Sequence, residues 1–457
     1  LVADSEGAPG PSTYNRTEPQ GAAPLADALL PSDGVLLWRA FSHPGDIEGT
    51  SGDQPLMQYQ TFTALDGQWP ANMVLQVKNG PMDFQTHEPV HSLFGNLPKT
   101  SLMVEVGVTQ EYTGQATQIC HLPAMWQECL AFDTDCEPNT TLANIVTGQT
   151  ESTKHYTNNG FAGVSNFGED ASWTGHPLVA VNSFAFGRLA WSPNLSAREI
   201  TTEWVKLTWG ASAQSLEVAE EHEPQADAEL GDENSAGRGG EGEGEGDREW
   251  VETLVDVLSG SWLSYEQTTT PMGLGATVEN CKSNPQYCPH GMGVTGPRRH
   301  DHYFLNLTLW QYAGKECDPN TGICTGNAGY GGGFNATRLE VGNNRSVAYG
   351  ATYCGKNAAM FASPKTTPLR LFLTFHHVPY TYEVTPGSSV LESIYGSTAA
   401  GVKTIESYVG VWEGLKGRVA SVDDRRYGEV LSLLKLAASD ARNFTQSVVE
   451  FFENITE

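Results

Sequence analysis

The strand that ends at residue 78 constrains the fold of this chain more than any other feature. In the stretch Q-V-K-N-G-P-M-D-F-Q (76–85), apolar and polar residues alternate up to Lys78, and Asn79-Gly80-Pro81 follow at once. Proline has no N–H to donate and disfavours helix in the residue before it, so a strand cannot continue through this break. Asp83 follows the break, which predicts that its carboxylate lies at the rim of a sheet.

The same order of strand and polar strand end occurs three more times. The runs are G-V-L-L-W-R-A-F (34–41), L-M-V-E-V-G-V-T-Q-E-Y-T-G-Q (102–115) and F-A-G-V-S-N-F-G (161–168), and segments able to form helices (123–132 and 182–191) follow the last two. Strands that alternate with helices predict an α/β barrel or a doubly wound sheet. Polar strand ends favour the barrel, because barrel enzymes build their sites at the carboxyl ends of strands.

Net charge and hydropathy limit the kinds of partner that are expected for this chain. The chain has 457 residues and a formal net charge of −28, of which a block at 217–249 contributes −11 through thirteen acidic residues and two arginines. The Gly- and Glu-rich composition of this block predicts a solvated, disordered insertion, with an acidic interaction segment as the alternative. Nucleic acid is not an expected partner, because phosphate binding requires clustered Lys and Arg. The chain has no apolar run of about 18 residues, so no membrane span is expected.

Sequons and cysteines indicate a secreted protein. In an oxidising compartment, Cys281 with Cys288 and Cys317 with Cys324 are candidates for local disulfides. A metal site is the weaker alternative, because no C-x-x-C pair or H-x-x-x-H partner accompanies them. Cys120, Cys129, Cys136 and Cys354 receive no assignment. Eight N-x-S/T sequons are typical of a chain that passes through a eukaryotic secretory route; they stand at Asn15, Asn139, Asn194, Asn306, Asn335, Asn344, Asn443 and Asn454.

Three carboxylates occupy predicted strand ends. Glu6 follows the strand-like start Leu1-Val2-Ala3, Asp83 follows the strand that ends at Lys78, and Glu111 lies in the polar end of the run 102–115. Glycoside hydrolases place carboxyl side chains in one pocket. One of them protonates the leaving oxygen and another activates water. Alternatively, each carboxylate caps a turn or a helix N-terminus.

A set of motifs resembles the α-glucuronidases of glycoside hydrolase family 67. From residue 5 to 191 they follow the family's order, and after the acidic block the resemblance thins to 264–275, 375–380 and 425–430. The ordered motifs are S-E-G-x-P-G-P, W-R-A-F, V-K-N-G-P-M-D-F-Q, L-F-G-x-L-P-K-T, T-Q-E-Y-T-G-Q, A-G-V-S-N-F-G and W-T-G-H-P-L-x-x-x-N-x-F-A-F-G-R-L-A-W.

The resemblance implies an inverting enzyme that releases 4-O-methylglucuronic acid from its α-1,2 linkage on xylo-oligosaccharides in xylan degradation. The sequence contains no Gly-rich phosphate loop or metal cluster, so no cofactor or metal is expected. The resemblance also implies that Glu6 is the general acid and that Asp83 and Glu111 position and deprotonate the water. For the substrate, it assigns Lys78 to the uronate carboxylate, with Arg39 as a candidate for the same pocket and Trp310 as a stacking residue. The expected partners are glucuronoxylan-derived oligosaccharides, and a homodimer through the C-terminal domain is a further expectation.

Some positions depart from the family's pattern. Val2 stands where a second substrate-binding lysine is usual, four residues before Glu6, and the family's V-R-E-P appears as T-H-E-P with His87 in place of arginine. The segment N-R-S (344–346) replaces D-R-T and creates a sequon at Asn344. These changes concern substrate binding and leave the three acids in place.

The expected fold class is α/β. Residues 1–192 are expected to form the C-terminal portion of a (β/α)8 catalytic barrel. Residues 193–457 are expected to form a mainly α-helical C-terminal domain that contains the acidic insertion. The strand that carries Glu6 is expected to be the fourth of eight, with the N-terminal domain and first barrel strands absent from this chain. The changed substrate contacts leave a second functional class open, a non-catalytic or decayed glucuronoxylan-binding relative.

Overall fold

The computed structural model describes residues 9–40, 54–82, 84–109, 118–156, 158–165, 172, 174–210, 245–273, 349–376, 378 and 381–456. Four strands form one parallel sheet: β1 (Leu36–Arg39), β2 (Met73–Lys78), β3 (Leu102–Thr109) and β4 (Gly160–Ser165). A two-stranded antiparallel ribbon, β5 (Glu383–Thr385) and β6 (Ser388–Ser389), follows much later.

Helices surround the sheet and make up most of the described C-terminal region. In chain order the α-helices are α1 (Glu18–Leu29), α2 (Gln54–Thr63), α3 (Leu122–Ala131), α4 (Leu142–Val146), α5 (Ala180–Trp191), α6 (Ala197–Trp209), α7 (Glu245–Gln267), α8 (Gly355–Phe361), α9 (Phe372–Phe375), α10 (Val390–Gly414) and α11 (Lys416–Thr456). Short 3₁₀ helices occur at Pro11–Tyr14, Leu30–Ser32, Pro177–Val179, Pro271–Gly273 and Leu369–Leu371.

The strand order supports the barrel over the doubly wound sheet. Each strand pairs in parallel with the next one along the chain, in the order β1-β2-β3-β4, with Leu36 opposite Met73, Leu75 opposite Leu102 and Met103 opposite Gly160. A doubly wound sheet reverses its strand order at a switch point, whereas a barrel adds strands in one direction. The prediction of part of a (β/α)8 barrel followed by a helical region is therefore confirmed.

The predicted elements differ from the observed ones mainly at their ends. The helices predicted at 123–132 and 182–191 are α3 and α5. The expected rhythm of strand and helix is interrupted between β2 and β3, where the described residues of 79–101 form turns. The acidic block was expected to be disordered as far as 249, but α7 begins at Glu245, so 245–249 are helical. The start Leu1-Val2-Ala3 and residues 217–244 lie outside the described residues.

Local sequence explains where the long C-terminal helices begin and turn. The predicted capping box at the start of α6 is confirmed: the Ser196 hydroxyl accepts from the Glu199 N–H at 3.1 Å, and a Glu199 oxygen accepts from the Ser196 N–H at 2.9 Å. The helix predicted at 423–452 lies within α11, and its apolar stripe is buried at Val430, Leu434 and Ala437. Asp423 has a non-helical backbone (φ −155°, ψ 94°) that divides α11 near its start.

Two large apolar cores lie in the sheet region and in the helical region. The first packs the sheet against α3 and α5, where Phe161 of β4 stacks on Phe186 of α5 with ring centroids 5.1 Å apart. The second packs α6, α7, α10 and α11 around Trp412, whose indole N–H donates to the Tyr427 carbonyl at 3.1 Å. Within the described ranges, no helix has the length and apolarity needed to cross a bilayer.

A disulfide joins these two regions. Cys136, which follows α3, is bonded to Cys354 at the start of α8. Hydrogen bonds continue the contact on both sides, since the Asn96 amide donates to the Thr352 carbonyl at 3.2 Å and the Asn357 amide donates to the Asp133 carbonyl at 2.8 Å. The segment 349–361 is thus fixed to the loops beside β2 and β3. Cys281, Cys288, Cys317 and Cys324 lie outside the described residues, so their predicted disulfides stay predictions.

We expect a peptide map made without reduction to contain Cys136 and Cys354 in one linked species. Cys120 and Cys129 are buried thiols and should react with an alkylating reagent only after unfolding. Replacing Cys136 and Cys354 together with serine should lower the free energy of unfolding by about 2–5 kcal/mol, because the crosslink closes a long loop of the unfolded chain. A linked species that joins Cys354 to another cysteine would contradict this assignment.

Candidate functional site

The carboxyl ends of the parallel strands meet at one edge of the sheet, and the two predicted site residues that the structure describes both lie there. Arg39 is the last residue of β1 and Lys78 is the last residue of β2. Glu6, Asp83, Glu111 and Trp310 lie outside the described residues, so their roles stay predictions. The described part of the candidate site consists of Arg39, Lys78 and the residues that contact them or the loop after β2.

Arg39 is paired with a buried carboxylate that the sequence analysis did not single out. Glu105 of β3 is fully buried, and Arg39 donates to it through two nitrogens, with Nε 2.9 Å from Oε2. The Gln76 amide between them, on β2, donates to the same Oε2 at 2.6 Å. A buried carboxylate requires such partners because burial without them is very costly. The signal in the sequence was a single glutamate inside the apolar run L-M-V-E-V-G-V.

Lys78 is a nearly buried cation at the end of β2. It is 5% exposed, it stands opposite Glu105 in the β2–β3 register, and its Nζ lies 4.9 Å from the centre of the Phe84 ring. An ammonium over an aromatic face is stabilised by the ring quadrupole. This position gives the strand edge a positive charge directly before the loop that carries Asp83.

His91 beside Lys78 is neutral. Burial, and after it the positive charge of Lys78, lowers the pKa of His91 to about 3. The Leu93 N–H lies 3.2 Å from Nδ1 and the Gln58 side-chain oxygen lies 3.3 Å from Nε2, so Nδ1 accepts and Nε2 carries the proton. The local positive charge of this part of the site is therefore that of Lys78 rather than of the histidine.

The loop after β2 is held by the carboxylate of Glu88. One oxygen accepts from the Gln85 N–H at 2.5 Å and the other accepts from the Met82 N–H. These two amides flank position 83 in the chain. Buried amides that have left a strand ladder need acceptors, and a charged acceptor makes the stronger hydrogen bonds. Glu88 belongs to the T-H-E-P stretch, in which no local pattern distinguishes it as the acceptor for these amides.

Gly80 and Phe84 show how closely this loop folds around Glu88. A Cβ at Gly80 would lie 2.3 Å from Oε2 and 2.4 Å from Cβ of Glu88, so glycine is required for the approach. Phe84 has a left-handed backbone (φ 62°), which is uncommon for an aromatic residue. Strain of this kind persists only where surrounding contacts determine the conformation, as Glu88 and the Lys78–Phe84 contact do here.

The described part of the site brings two cations to the strand ends. Lys78 stands beside the loop that Glu88 holds, and Arg39 is paired with the buried carboxylate of Glu105. Among the residues that the structure describes, no group of three His, Cys, Asp or Glu side chains is placed to hold a metal ion.

Family models match the chain on both sides of the acidic block. The model described as glycosyl hydrolase family 67 middle domain matches residues 1–173. The model described as glycosyl hydrolase family 67 C-terminus matches residues 174–226 and 318–457. The boundary between the two matches precedes α5, which packs on the sheet.

Curated relatives match over the whole chain. The Alpha-glucuronidase of Hypocrea jecorina is 32% identical over 462 residues, which cover 100% of this chain and 46% of that protein. The Probable alpha-glucuronidase A of Aspergillus clavatus and the Alpha-glucuronidase A of Aspergillus tubingensis are each 31% identical over 464 residues, with the same coverage of 100% and 46%. The chain therefore spans about half the length of the curated relatives it matches.

The pairing of Arg39 with Glu105 predicts a particular pattern of stability. Arg39→Met should cost about 3 kcal/mol of unfolding free energy, because it leaves the buried carboxylate of Glu105 unpaired. Adding Glu105→Gln should recover part of that loss in urea unfolding. The control is Arg188→Met, whose ion pair with Glu203 is partly exposed (38% and 42%) and should contribute less than about 1 kcal/mol. Equal losses for the two arginine variants would contradict a supporting role for Arg39.

Proposed function

The chain belongs to glycoside hydrolase family 67, and from this premise we propose that the whole protein is an inverting α-glucuronidase. Its reaction is hydrolysis of the α-1,2 bond that joins (4-O-methyl)glucuronic acid to xylo-oligosaccharides derived from glucuronoxylan. The names of the relatives support this activity. The observation on the molecule that carries the proposal is the buried Lys78 at the end of β2, next to the loop that Glu88 fixes around position 83.

In the proposed reaction, Glu6 protonates the leaving oxygen of the xylose unit. Asp83 and Glu111 position a water on the opposite face of the uronic acid ring, and one of them removes its proton. An inverting site separates the acid from the base by roughly 6.5–9.5 Å so that water fits between them. Neighbouring negative charges, including the substrate's own carboxylate, favour the protonated form of the general acid. No metal or cofactor enters the proposal.

Recognition of the substrate is proposed to rest on charge. The uronate carboxylate is assigned to Lys78, because a nearly buried ammonium beside a fixed loop binds a carboxylate with little cost in ordering. Arg39 contributes to the same pocket while it stays bound to Glu105, since a guanidinium has five N–H donors and can serve two acceptors. Trp310 is assigned to stacking on a sugar ring.

A secreted, glycosylated protein is part of the same proposal. Four of the sequon asparagines, Asn15, Asn139, Asn194 and Asn443, have exposed side chains, as an oligosaccharide requires. The disulfide between Cys136 and Cys354 suits an oxidising compartment. A homodimer formed through the C-terminal domain remains a proposal for the assembly.

The stereochemistry of the product tests the mechanism. With an aldouronic oligosaccharide and the whole protein, proton NMR should detect the β-anomer of the uronic acid first, because the water attacks the face opposite the leaving group. The α-anomer as first product would exclude inversion. Binding of the oligosaccharide without any product would instead support the alternative, a non-catalytic glucuronoxylan-binding relative.

Replacement of Lys78 tests the recognition of charge. Lys78→Met should weaken discrimination between the uronate and a neutral glucose analogue by about 1.5–3 kcal/mol, the contribution of a hydrogen bond to a charged group. The measurement is the ratio of kcat/KM for the two substrates, with Lys99→Met as the control because Lys99 is exposed. A variant that still prefers the uronate as strongly as the wild type would place carboxylate recognition elsewhere.

A further inference from the structure

Four charged side chains form a cluster that includes one residue of the loop after β2. Its members are His87 of the loop, Glu128 of α3, Glu266 of α7 and Arg370 of the 3₁₀ helix Leu369–Leu371. This charge cluster joins the sheet region to the helical region at the loop that is proposed to carry a catalytic acid.

The His87 ring faces a carboxylate at each nitrogen. Nδ1 lies 3.0 Å from a Glu266 oxygen, and Nε2 lies 3.3 Å from a Glu128 oxygen. A carboxylate can only accept a hydrogen bond when it is ionised, so both ring nitrogens have to donate. Neutral imidazole has one N–H and the imidazolium has two, so the geometry corresponds to a positively charged His87.

Arg370 is the second cation of the charge cluster, and it contacts the same two carboxylates as His87. Its Nε donates to Glu266 at 2.9 Å, its Nη1 lies 3.5 Å from Glu128, and its guanidinium lies 4.3 Å from the centre of the Trp262 ring. Two cations thus face two carboxylates. If His87 lost its proton, Arg370 alone would balance Glu266, whose side chain is 3% exposed.

Trp262 and Glu88 connect the charge cluster to the loop backbone. The Trp262 indole N–H donates to the Thr86 carbonyl at 2.7 Å, and the Trp262 ring lies 5.2 Å from the His87 ring. On the other side of His87, Glu88 holds the amides of Met82 and Gln85. A displacement of His87 would therefore move both neighbours in the chain, one of which fixes the residues around Asp83.

We propose that His87, as an imidazolium held by Glu266 and Glu128, is a positioning residue that keeps the loop after β2 in its active arrangement and makes that arrangement depend on pH. The proposal rests on the proposed function for its effect on catalysis, but its effect on the loop is independent of it.

The direction of the pH dependence follows from the surroundings of His87. Burial favours the neutral ring and Arg370 opposes its charge, but Glu266 and Glu128 outweigh both and raise the pKa of His87 above its ordinary 6.5. A group with a raised pKa stabilises the fold fully below its unfolded value, and that contribution is lost as the pH rises through the folded value. The positioning effect is therefore present below the ordinary pKa of 6.5 and is lost as the pH rises through the raised pKa of His87.

The other groups near the charge cluster do not titrate in that range. Burial alone would raise the pKa values of Glu266 and Glu128, but His87 and Arg370 lower them below their ordinary 4.5, so both are ionised. Burial raises the pKa of Cys120, with Glu266 adding to it, and burial also raises the pKa of Cys129, with Glu128 and Glu88 adding to it. Both thiols therefore stay neutral, and His87 is the group that changes charge above neutral pH.

The decisive measurement is the ratio of wild-type to His87→Gln activity as a function of pH, because the titration of the general acid is common to both proteins and cancels. Misplacement of a catalytic group costs about 10- to 100-fold, so kcat should differ by that factor below the ordinary pKa of 6.5, and the ratio should fall toward one as the pH rises through the raised pKa of His87. A ratio that stays constant across pH would reduce His87 to a merely structural role and overturn the proposal. The control is His155→Gln, since His155 is exposed.

Two further variants keep the test decisive if His87→Gln folds poorly. Glu128→Gln removes the negative charge that faces Nε2, at a side chain that is 55% exposed, and it should move the fall in activity to lower pH. His87→Arg should restore a permanent cation and retain activity at alkaline pH, relative to the wild type. The proposal would also be overturned if activity in Glu128→Gln fell at the same pH as in the wild type and activity in His87→Arg fell at alkaline pH as it does in the wild type.

Hydrogen exchange separates this inference from the proposed function. In the wild type, exchange of the Met82 and Gln85 amides should accelerate as the pH rises through the pKa of His87, after correction for the intrinsic pH dependence of exchange. In His87→Arg it should not. This result would support the positioning role even in a protein that hydrolysed no glucuronoside, whereas exchange that is identical in both proteins would overturn it whatever the activity.

Discussion

The loop after β2 depends on a single buried carboxylate. Where Gly80-Pro81 ends the strand, the backbone leaves the sheet while it is still buried, and its amides lose the partners that a ladder would supply. Glu88 replaces those partners for Met82 and Gln85. The absence of a side chain at Gly80 lets this carboxylate approach. A side chain of the loop itself therefore helps to fix the edge of the sheet on which the proposed chemistry relies.

The helical region contributes to the same loop from outside. Trp262 of α7 binds the Thr86 carbonyl, and Tyr353, which precedes α8, donates to the Val90 carbonyl. Two points of the connection between β2 and β3 are therefore attached to segments far along the chain. The disulfide at Cys354 holds the second of these segments in place. In a barrel enzyme the loops at the carboxyl ends of strands carry the function. Here the helical region serves as the support of one such loop.

The cations near the strand ends have different surroundings. Arg39 is committed to Glu105, and removing either partner of a buried pair is far more costly than the pair itself contributes. Lys78 faces an aromatic ring and lies beside a neutral His91. In the proposed enzyme the substrate carboxylate is assigned to Lys78, while Arg39 neutralises the buried Glu105. The two residues looked alike as strand-end cations in the sequence.

The sequence by itself determined the parallel strands, the strand break at Gly80-Pro81, the helices α3, α5 and α6, and Lys78 at a strand end, because these depend on local periodicity and on the chemistry of proline and capping residues. Only the tertiary structure decided that Glu105 neutralises Arg39, that Cys136 pairs with Cys354, and that His87 meets Glu266, 179 residues further along the chain. A charge, a thiol or an imidazole takes its role from the groups that folding brings to it. Those groups lie on other elements, at distances along the chain that no local pattern encodes.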